Sequence, residues 1–125
     1  MKNSVTIFWL VILVLIVTGV AASFYVGAKP GKYDSFAQCL TSKGVIFYGA
    51  FWCPHCQATK RMFGTSERLL PYHECSTPDG KGQLQSCTDV GVKSYPTWKF
   101  PDGTELTGEH TLQELSTASG CPLTA

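Results

Sequence analysis

The tetrapeptide Cys53-Pro54-His55-Cys56 constrains the fold of this chain more than any other feature. It stands where an apolar run, residues 45–51, meets the start of a helical pattern. Two thiols at this spacing can close into a disulfide and reopen, so the tetrapeptide indicates a redox site. A permanent disulfide or half of a zinc site would use the same spacing.

The two cysteines are predicted to play different parts. Pro54 suits the first position of a helix, where its missing N–H group costs nothing, so Cys53 becomes the N-cap residue. Unpaired backbone N–H groups, the helix dipole and a protonated His55 would stabilise a thiolate at Cys53. Cys56 lies about one turn into the helix and is expected to be more buried. Cys53 is therefore the predicted nucleophile, and Cys56 resolves the mixed disulfide.

The rest of the chain predicts alternating helices and strands. Helices are predicted over residues 35–43, from residue 54 to a cap at Gly64, in a short stretch ending near residue 90, and over residues 111–119. Strands are predicted over residues 45–50 and 71–75, and a hairpin over residues 98–106. Ser35 with Gln38 and Thr111 with Glu114 form capping-box patterns at two of the helices.

A second motif, Ser94-Tyr95-Pro96-Thr97, completes a resemblance to the thioredoxin-like superfamily. In that family a cis-proline packs beside the Cys-x-x-Cys, so the resemblance implies a cis Pro96 although X–Pro bonds are usually trans. It also implies that the backbone of Tyr95 binds substrate. The order of elements is then that of a compact thioredoxin-like α/β fold, a central mixed β-sheet flanked by helices. Trp52 and Tyr95 are expected to form an apolar rim and part of the substrate groove.

Longer segments carry a closer resemblance. Residues 48–56, 70–75, 95–98 and 119–121 are similar to the thioredoxin-like domain that accompanies bacterial and plant homologues of vitamin K epoxide reductase. The resemblance spans roughly residues 33–121. It implies protein thiols and disulfides as substrates, and reoxidation by a separate membrane protein of the vitamin K epoxide reductase type. A quinone would act only through that partner, and no cofactor is expected on this chain.

Two details bear on the direction and on the proton transfer of the expected reaction. Cys-Pro-His-Cys is also the tetrapeptide of the strong oxidant DsbA, which favours oxidation of substrates. A reductase or isomerase, and a non-catalytic interaction domain braced by disulfides, remain alternatives.

Thioredoxin has a buried acid on the strand before its site, whereas the corresponding residue here is Phe47. The proton acceptor of Cys56 is left open between Glu74 and water.

The first 28 residues predict a membrane segment. Residues 5–28 carry no charge and are long enough to cross a bilayer core. Small residues at Val20-Ala21-Ala22 leave a cleaved signal peptide as the alternative. We expect an uncleaved single-pass anchor over residues 1–28, a linker over residues 29–32 and the thioredoxin-like domain over residues 33–125. An even count of six cysteines favours an oxidising compartment, so the domain is expected on the exoplasmic side.

Four further cysteines can brace the domain, although spacing alone does not fix their connectivity. Cys75 and Cys87 bracket a turn-rich loop, and the helices that carry or precede Cys39 and Cys121 can pack together. The preferred pairs are therefore Cys75 with Cys87 and Cys39 with Cys121, with free buried thiols as the alternative. In plant members of the resembled family a second pair takes part in function, so Cys75 and Cys87 are also candidates for an electron relay.

Two further classes of function are not favoured by the sequence. A zinc site built from Cys53, Cys56, Cys75 and Cys87 lacks the usual second Cys-x-x-Cys, so no metal is expected. The net charge is +1 and no basic block occurs, so no nucleic-acid partner is expected.

Overall fold

The computed structural model describes residues 2–27 and 29–124. Met1, Ala28 and Ala125, which the predicted anchor and domain include, lie outside the described residues. The chain divides into two compact units, Met1–Pro30 and Gly31–Ala125.

The first unit is one helix, α1 (Lys2–Gly27). Its segment Asn3–Val26 comprises 24 residues with a mean hydropathy of 2.8, and these residues are not buried in the structure. A span of about 20 apolar residues crosses a bilayer core, so α1 is long and apolar enough to do so. A signal sequence would meet the same criteria of length and composition.

The second unit contains a four-stranded sheet with the order β2-β1-β3-β4. Its strands are β1 (Ile46–Gly49), β2 (Tyr72–Glu74), β3 (Thr97–Lys99) and β4 (Glu105–Thr107). β1 is parallel to β2 and antiparallel to β3, and β3 is antiparallel to β4. The structure thus confirms the predicted mixed sheet, including the hairpin of β3 and β4.

Four α-helices accompany this sheet in the described residues: α2 (Asp34–Ser42), α3 (Pro54–Phe63), α4 (Gln85–Asp89) and α5 (Leu112–Ser119). The predicted capping box of Thr111 and Glu114 is present at α5, and Gly120 ends this helix with a φ of +67°. A 3₁₀ helix, Gly64–Leu69, follows α3 and was not predicted.

The predicted capping box at α2 is wrong. The helix begins at Asp34, and its N-cap Tyr33 makes no side-chain capping bond. The Asp34 carboxylate instead accepts the Gly31 N–H at 3.0 Å and two hydrogen bonds from Arg68, at 2.9 and 2.7 Å. These bonds, chiefly those from Arg68, hold the pKa of Asp34 well below its usual range. The guanidinium of Arg68, 34 residues away, therefore fixes this helix end through two bonds to Asp34. The local sequence around Asp34 does not reveal this partner.

Aromatic side chains form the centre of the core. Phe47 on β1 stacks on Trp98 of β3 with 4.4 Å between ring centroids, and both are fully buried. Phe36 of α2 stacks on Phe63 of α3 at 5.7 Å. The core cluster also includes Cys53 and its neighbour Cys56, the two cysteines that follow β1. The position of both thiols is therefore set by packing against the sheet.

Candidate redox site

The candidate site begins where β1 gives way to α3. Cys53 has an extended conformation and is the N-cap of α3, with Pro54 at the start of the helix. Its backbone N–H donates to Ala50 at 3.0 Å, and its sulfur accepts the N–H of Cys56 at 3.4 Å. The Cys53 sulfur thus lies at the helix N-terminus, where unpaired N–H groups favour a negative charge.

Cys56 differs from Cys53 in its surroundings. It is fully buried on the face of α3 that also buries Thr59 and Phe63. Burial raises the pKa of the Cys56 thiol from its ordinary value of 9.0 to about 12. Both residues are free thiols in the structure. A reduced Cys56 therefore stays protonated at neutral pH and has to lose its proton when it attacks.

The loop before β3 completes the site. The Tyr95–Pro96 bond is cis, as the resemblance implied. Tyr95 contributes its carbonyl oxygen, which lies 3.8 Å from the Cys53 sulfur and accepts its S–H. The fold thus brings Cys53 to the carbonyl group that precedes the cis-proline Pro96, from a segment 42 residues away in the chain.

Aromatic side chains form a rim on the exposed side of the thiols. Trp52 is 52% exposed and Phe51, which was not among the predicted site residues, is 48% exposed. The indole N–H of Trp52 donates to the Ser76 hydroxyl at 2.8 Å, and the Tyr95 hydroxyl donates to Gln83. Trp52 and Tyr95 meet edge to face at 6.1 Å. Both predicted rim residues are thus held by the loop between residues 76 and 83.

His55 has a partner that sequence reasoning missed. Its Nδ1 atom lies 2.5 Å from Oε1 of Glu109, which belongs to the turn after β4. Both side chains are largely exposed. No sequence signal connects the two residues, because the contact depends on how the β3–β4 hairpin folds back towards α3.

The other four cysteines form two disulfides, Cys39–Cys121 and Cys75–Cys87, which are the pairings preferred from the sequence. Cys75 and Cys87 are bonded to each other, so they are not zinc ligands beside Cys53 and Cys56. They belong to a second buried cluster with Tyr48 and Val92, whereas Cys53 and Cys56 belong to the main core. The Cys75–Cys87 bond encloses the loop that holds Trp52 and Tyr95.

Glu74, at the end of β2, is bound to the same region. Its Oε1 atom accepts the backbone N–H groups of Phe51 at 3.2 Å and Ser76 at 2.8 Å. Its Oε2 atom accepts the hydroxyl of Tyr72 at 2.8 Å. Phe47, on the strand where thioredoxin has its buried acid, lies in the apolar core. Glu74 is an acid that a hydrogen bond joins to the segment before Cys53, through the backbone of Phe51.

The mixed sheet, the dithiol at a helix N-terminus and the neighbouring cis-proline are together those of a thioredoxin-like redox domain. The comparison with known proteins agrees: over 94 residues the chain is 43% identical to thiol-disulfide oxidoreductase LTO1 of Arabidopsis thaliana. The matched region covers 71% of this chain and 24% of that protein, so the chain spans about a quarter of the relative's length. No family model matches the chain. The similarity supports a place in the thioredoxin-like superfamily.

Proposed function

We propose that this chain is a thiol-disulfide oxidoreductase that oxidises the thiols of exported proteins through Cys53 and Cys56. The observation that carries the proposal is the asymmetry of the two sulfurs. Cys53 caps α3 and accepts an N–H group, whereas Cys56 is enclosed by the core. The similarity to a protein named as a thiol-disulfide oxidoreductase supports the same activity.

The reaction starts from the oxidised Cys53–Cys56 pair. A substrate thiolate attacks Cys53, the bond between the two cysteines breaks, and its electron pair stays on Cys56, which takes up a proton. A second substrate thiolate then attacks the substrate sulfur of the mixed disulfide, and Cys53 leaves as a thiolate. The substrate gains a disulfide and the domain gains two electrons, so no bound cofactor is needed.

The reduced dithiol then requires an electron acceptor. We assign this part to a membrane quinone reductase of the vitamin K epoxide reductase type, which would return Cys53 and Cys56 to the disulfide. The resemblance of the sequence motifs supports this partner. It is tested by mixing the reduced protein with such a reductase and a quinone, and by following quinol formation against a Cys53→Ala control.

The direction of electron flow follows from the reduction potential of the pair. An oxidase requires a potential well above that of thioredoxin, about −270 mV, and towards that of DsbA, about −120 mV. Equilibration with glutathione buffers measures it. A value near that of thioredoxin would favour a reductase, and a pair that resists mild reductants would indicate a non-catalytic, disulfide-braced domain.

Helix α1 supports a further part of the proposal, a membrane anchor. The two disulfides support an oxidising compartment, and we therefore place the redox domain on the exoplasmic side. An anchored protein should resist extraction by high salt and carbonate, and protease added on the exoplasmic side should digest the domain. A mature protein that begins after Ala22 and is released in soluble form would show a cleaved signal peptide instead.

A trapping experiment tests the activity itself. The Cys56→Ala variant is first treated with glutathione disulfide, which places glutathione on Cys53. A substrate thiolate then displaces the glutathione, and because Cys56 is not there to release the substrate, Cys53 should retain substrate proteins as mixed disulfides that disappear on reduction. The matched Cys53→Ala variant should retain few or none. Equal trapping by both variants would show that the nucleophile has been assigned wrongly, and no trapping by either would contradict the proposed activity.

A further inference from the structure

Gly49, the last residue of β1, lies between the thiol of Cys56 and the ring of Tyr72 on β2. A methyl group in place of its hydrogen would lie 2.9 Å from the Cys56 sulfur and 2.8 Å from the Cε2 atom of Tyr72. Both distances are shorter than side chains tolerate, so only glycine allows this approach. Cε2 is bonded to the carbon that carries the hydroxyl. The buried thiol and this side of the phenol ring thus both lie within 3.0 Å of one point beside Gly49, and the glycine places no side chain there.

The contact continues from Tyr72 towards the surface. The Tyr72 hydroxyl donates to Oε2 of Glu74 at 2.8 Å. Two backbone N–H groups hold the other carboxylate oxygen, so the position of Glu74 is fixed. Cys56 is fully buried, whereas Tyr72 and Glu74 are partly exposed. The three side chains thus lead from the core to solvent.

The charges around Cys56 suit a proton transfer along this line. Lys60, one turn further along α3, has its Nζ atom 3.5 Å from the centroid of the Tyr72 ring, and its charge favours the Cys56 thiolate. Burial, followed by the bond to Glu74, raises the pKa of Tyr72. Tyr72 therefore remains a neutral phenol that can accept one proton while it passes on another. Cys53 and Tyr95 also lie within electrostatic range of Cys56.

We propose that Tyr72 and Glu74 form the proton relay of Cys56. This inference rests on the proposed function, because it concerns the step in which Cys56 attacks or leaves. When Cys56 attacks a mixed disulfide on Cys53, its proton passes through one water molecule to the Tyr72 oxygen, and the Tyr72 hydroxyl proton passes to Glu74. The Cys53–Cys56 bond forms, and the partner sulfur leaves with the electron pair. In the oxidising direction the same protons travel back to the Cys56 thiolate.

The experiment oxidises the reduced protein with glutathione disulfide and follows the glutathione adduct on Cys53 by rapid quenching and mass spectrometry. Formation of the adduct depends on glutathione disulfide concentration, whereas its loss is the intramolecular attack of Cys56. In Tyr72→Phe and Glu74→Gln we expect loss of the adduct to slow by at least about tenfold at pH 7. The deficit should shrink as pH rises, because hydroxide then removes the Cys56 proton. Formation of the adduct should be unchanged.

Matched variants separate a relay from a structural role. Tyr33→Phe removes a phenol hydroxyl from a ring that packs against Phe63, and Glu67→Gln neutralises an exposed carboxylate, so both should behave like the wild type. Glu74→Gln keeps the Tyr72 ring, so it also tests the relay if Tyr72→Phe does not fold.

Three outcomes would overturn the relay. The first is loss of the adduct at the wild-type rate in both Tyr72→Phe and Glu74→Gln. The second is a rate of adduct loss that is lowered by the same factor at every pH, because that indicates a structural effect. The third outcome is a wild-type protein that forms no adduct, which would also overturn the proposed function. If the wild type forms the adduct normally and both variants lose it at the wild-type rate, the relay is rejected and the proposed function stands.

Discussion

The imidazole of His55 is paired with the carboxylate of Glu109, with 2.5 Å between Nδ1 and Oε1, although 54 residues separate them in the chain. His55 is the second residue of the helix that Cys53 caps, so its side chain lies near the N-terminus where a thiolate would form. The pair therefore joins the active-site helix to the turn after the hairpin.

The first prediction concerns the charge of His55. His55→Ala removes an imidazole near the start of α3, where a protonated ring would favour a thiolate at Cys53, so the reduced form should lose stability. The reduction potential should become more negative, by about 6–20 mV. Equilibrium with glutathione buffers measures the shift. His110→Ala is the matched control, because it removes an imidazole whose carboxylate partner, 3.6 Å away, is Glu114 of α5. An unchanged potential in His55→Ala would remove the electrostatic argument.

The second prediction uses the raised pKa of Cys56. A thiol whose pKa is about 12 is almost wholly protonated at pH 8, and its thiolate fraction rises about tenfold per pH unit up to that value. In Cys53→Ala the only remaining free thiol of the described cysteines is Cys56. Burial, the largest cause of the raised pKa, remains in this variant, so alkylation of Cys56 by iodoacetamide should be very slow at pH 8 and should keep accelerating above pH 9. Labelling that levels off near pH 9 would contradict the effect of burial.

The third prediction concerns Cys39–Cys121, whose cysteines are 82 residues apart. Closing so long a loop restricts the unfolded chain, and removing such a disulfide costs about 2–5 kcal/mol of unfolding free energy. The double variant Cys39→Ala/Cys121→Ala should lose stability in this range, as measured by urea denaturation. Alkylation of Cys53 in the folded variant should match the wild type, because this disulfide is not part of the rim.

The fourth prediction concerns Cys75–Cys87, whose cysteines are 12 residues apart. Its loop is shorter than that of Cys39–Cys121, so it should contribute less to the free energy of unfolding. Its loop holds Trp52 through Ser76 and Tyr95 through Gln83. We therefore expect Cys75→Ala/Cys87→Ala to slow the oxidation of a dithiol peptide more than Cys39→Ala/Cys121→Ala does. The opposite order of peptide oxidation rates would show that the loop does not support the rim.

The fifth prediction tests the close approach at Gly49. Gly49→Ala inserts a methyl group between Tyr72 and Cys56, and overpacking of this kind costs about 1–3 kcal/mol. Urea denaturation should show this loss. Gly82→Ala is the matched control, since its new methyl group would come no closer than 3.3 Å to any neighbouring atom, the nearest being Cγ2 of Thr77. Equal stabilities of the two variants would show that Tyr72 moves aside without cost.

Several features were predictable because local chemistry dictates them. Pro54 and Cys53 specify the start of α3, and the capping box of Thr111 and Glu114 specifies the start of α5. Apolar periodicity located β1 and the buried side of Cys56. The cis form of Pro96 was implied by resemblance to a family and not by the local sequence, which on its own favours trans.

Tertiary structure decided the contacts that cross between elements. The bonds of Arg68 to Asp34 and of Glu109 to His55 leave no trace in spacing or periodicity, because each partner is an ordinary polar residue on its own element. The same holds for the approach of Tyr72 to Cys56, which depends on the register of β1 and β2. The sequence by itself identified Cys53 and Cys56, the two cysteines that are free thiols in the structure. Only packing decided which side chains surround them, because a side chain's neighbours in a sheet are set by pairing between distant segments.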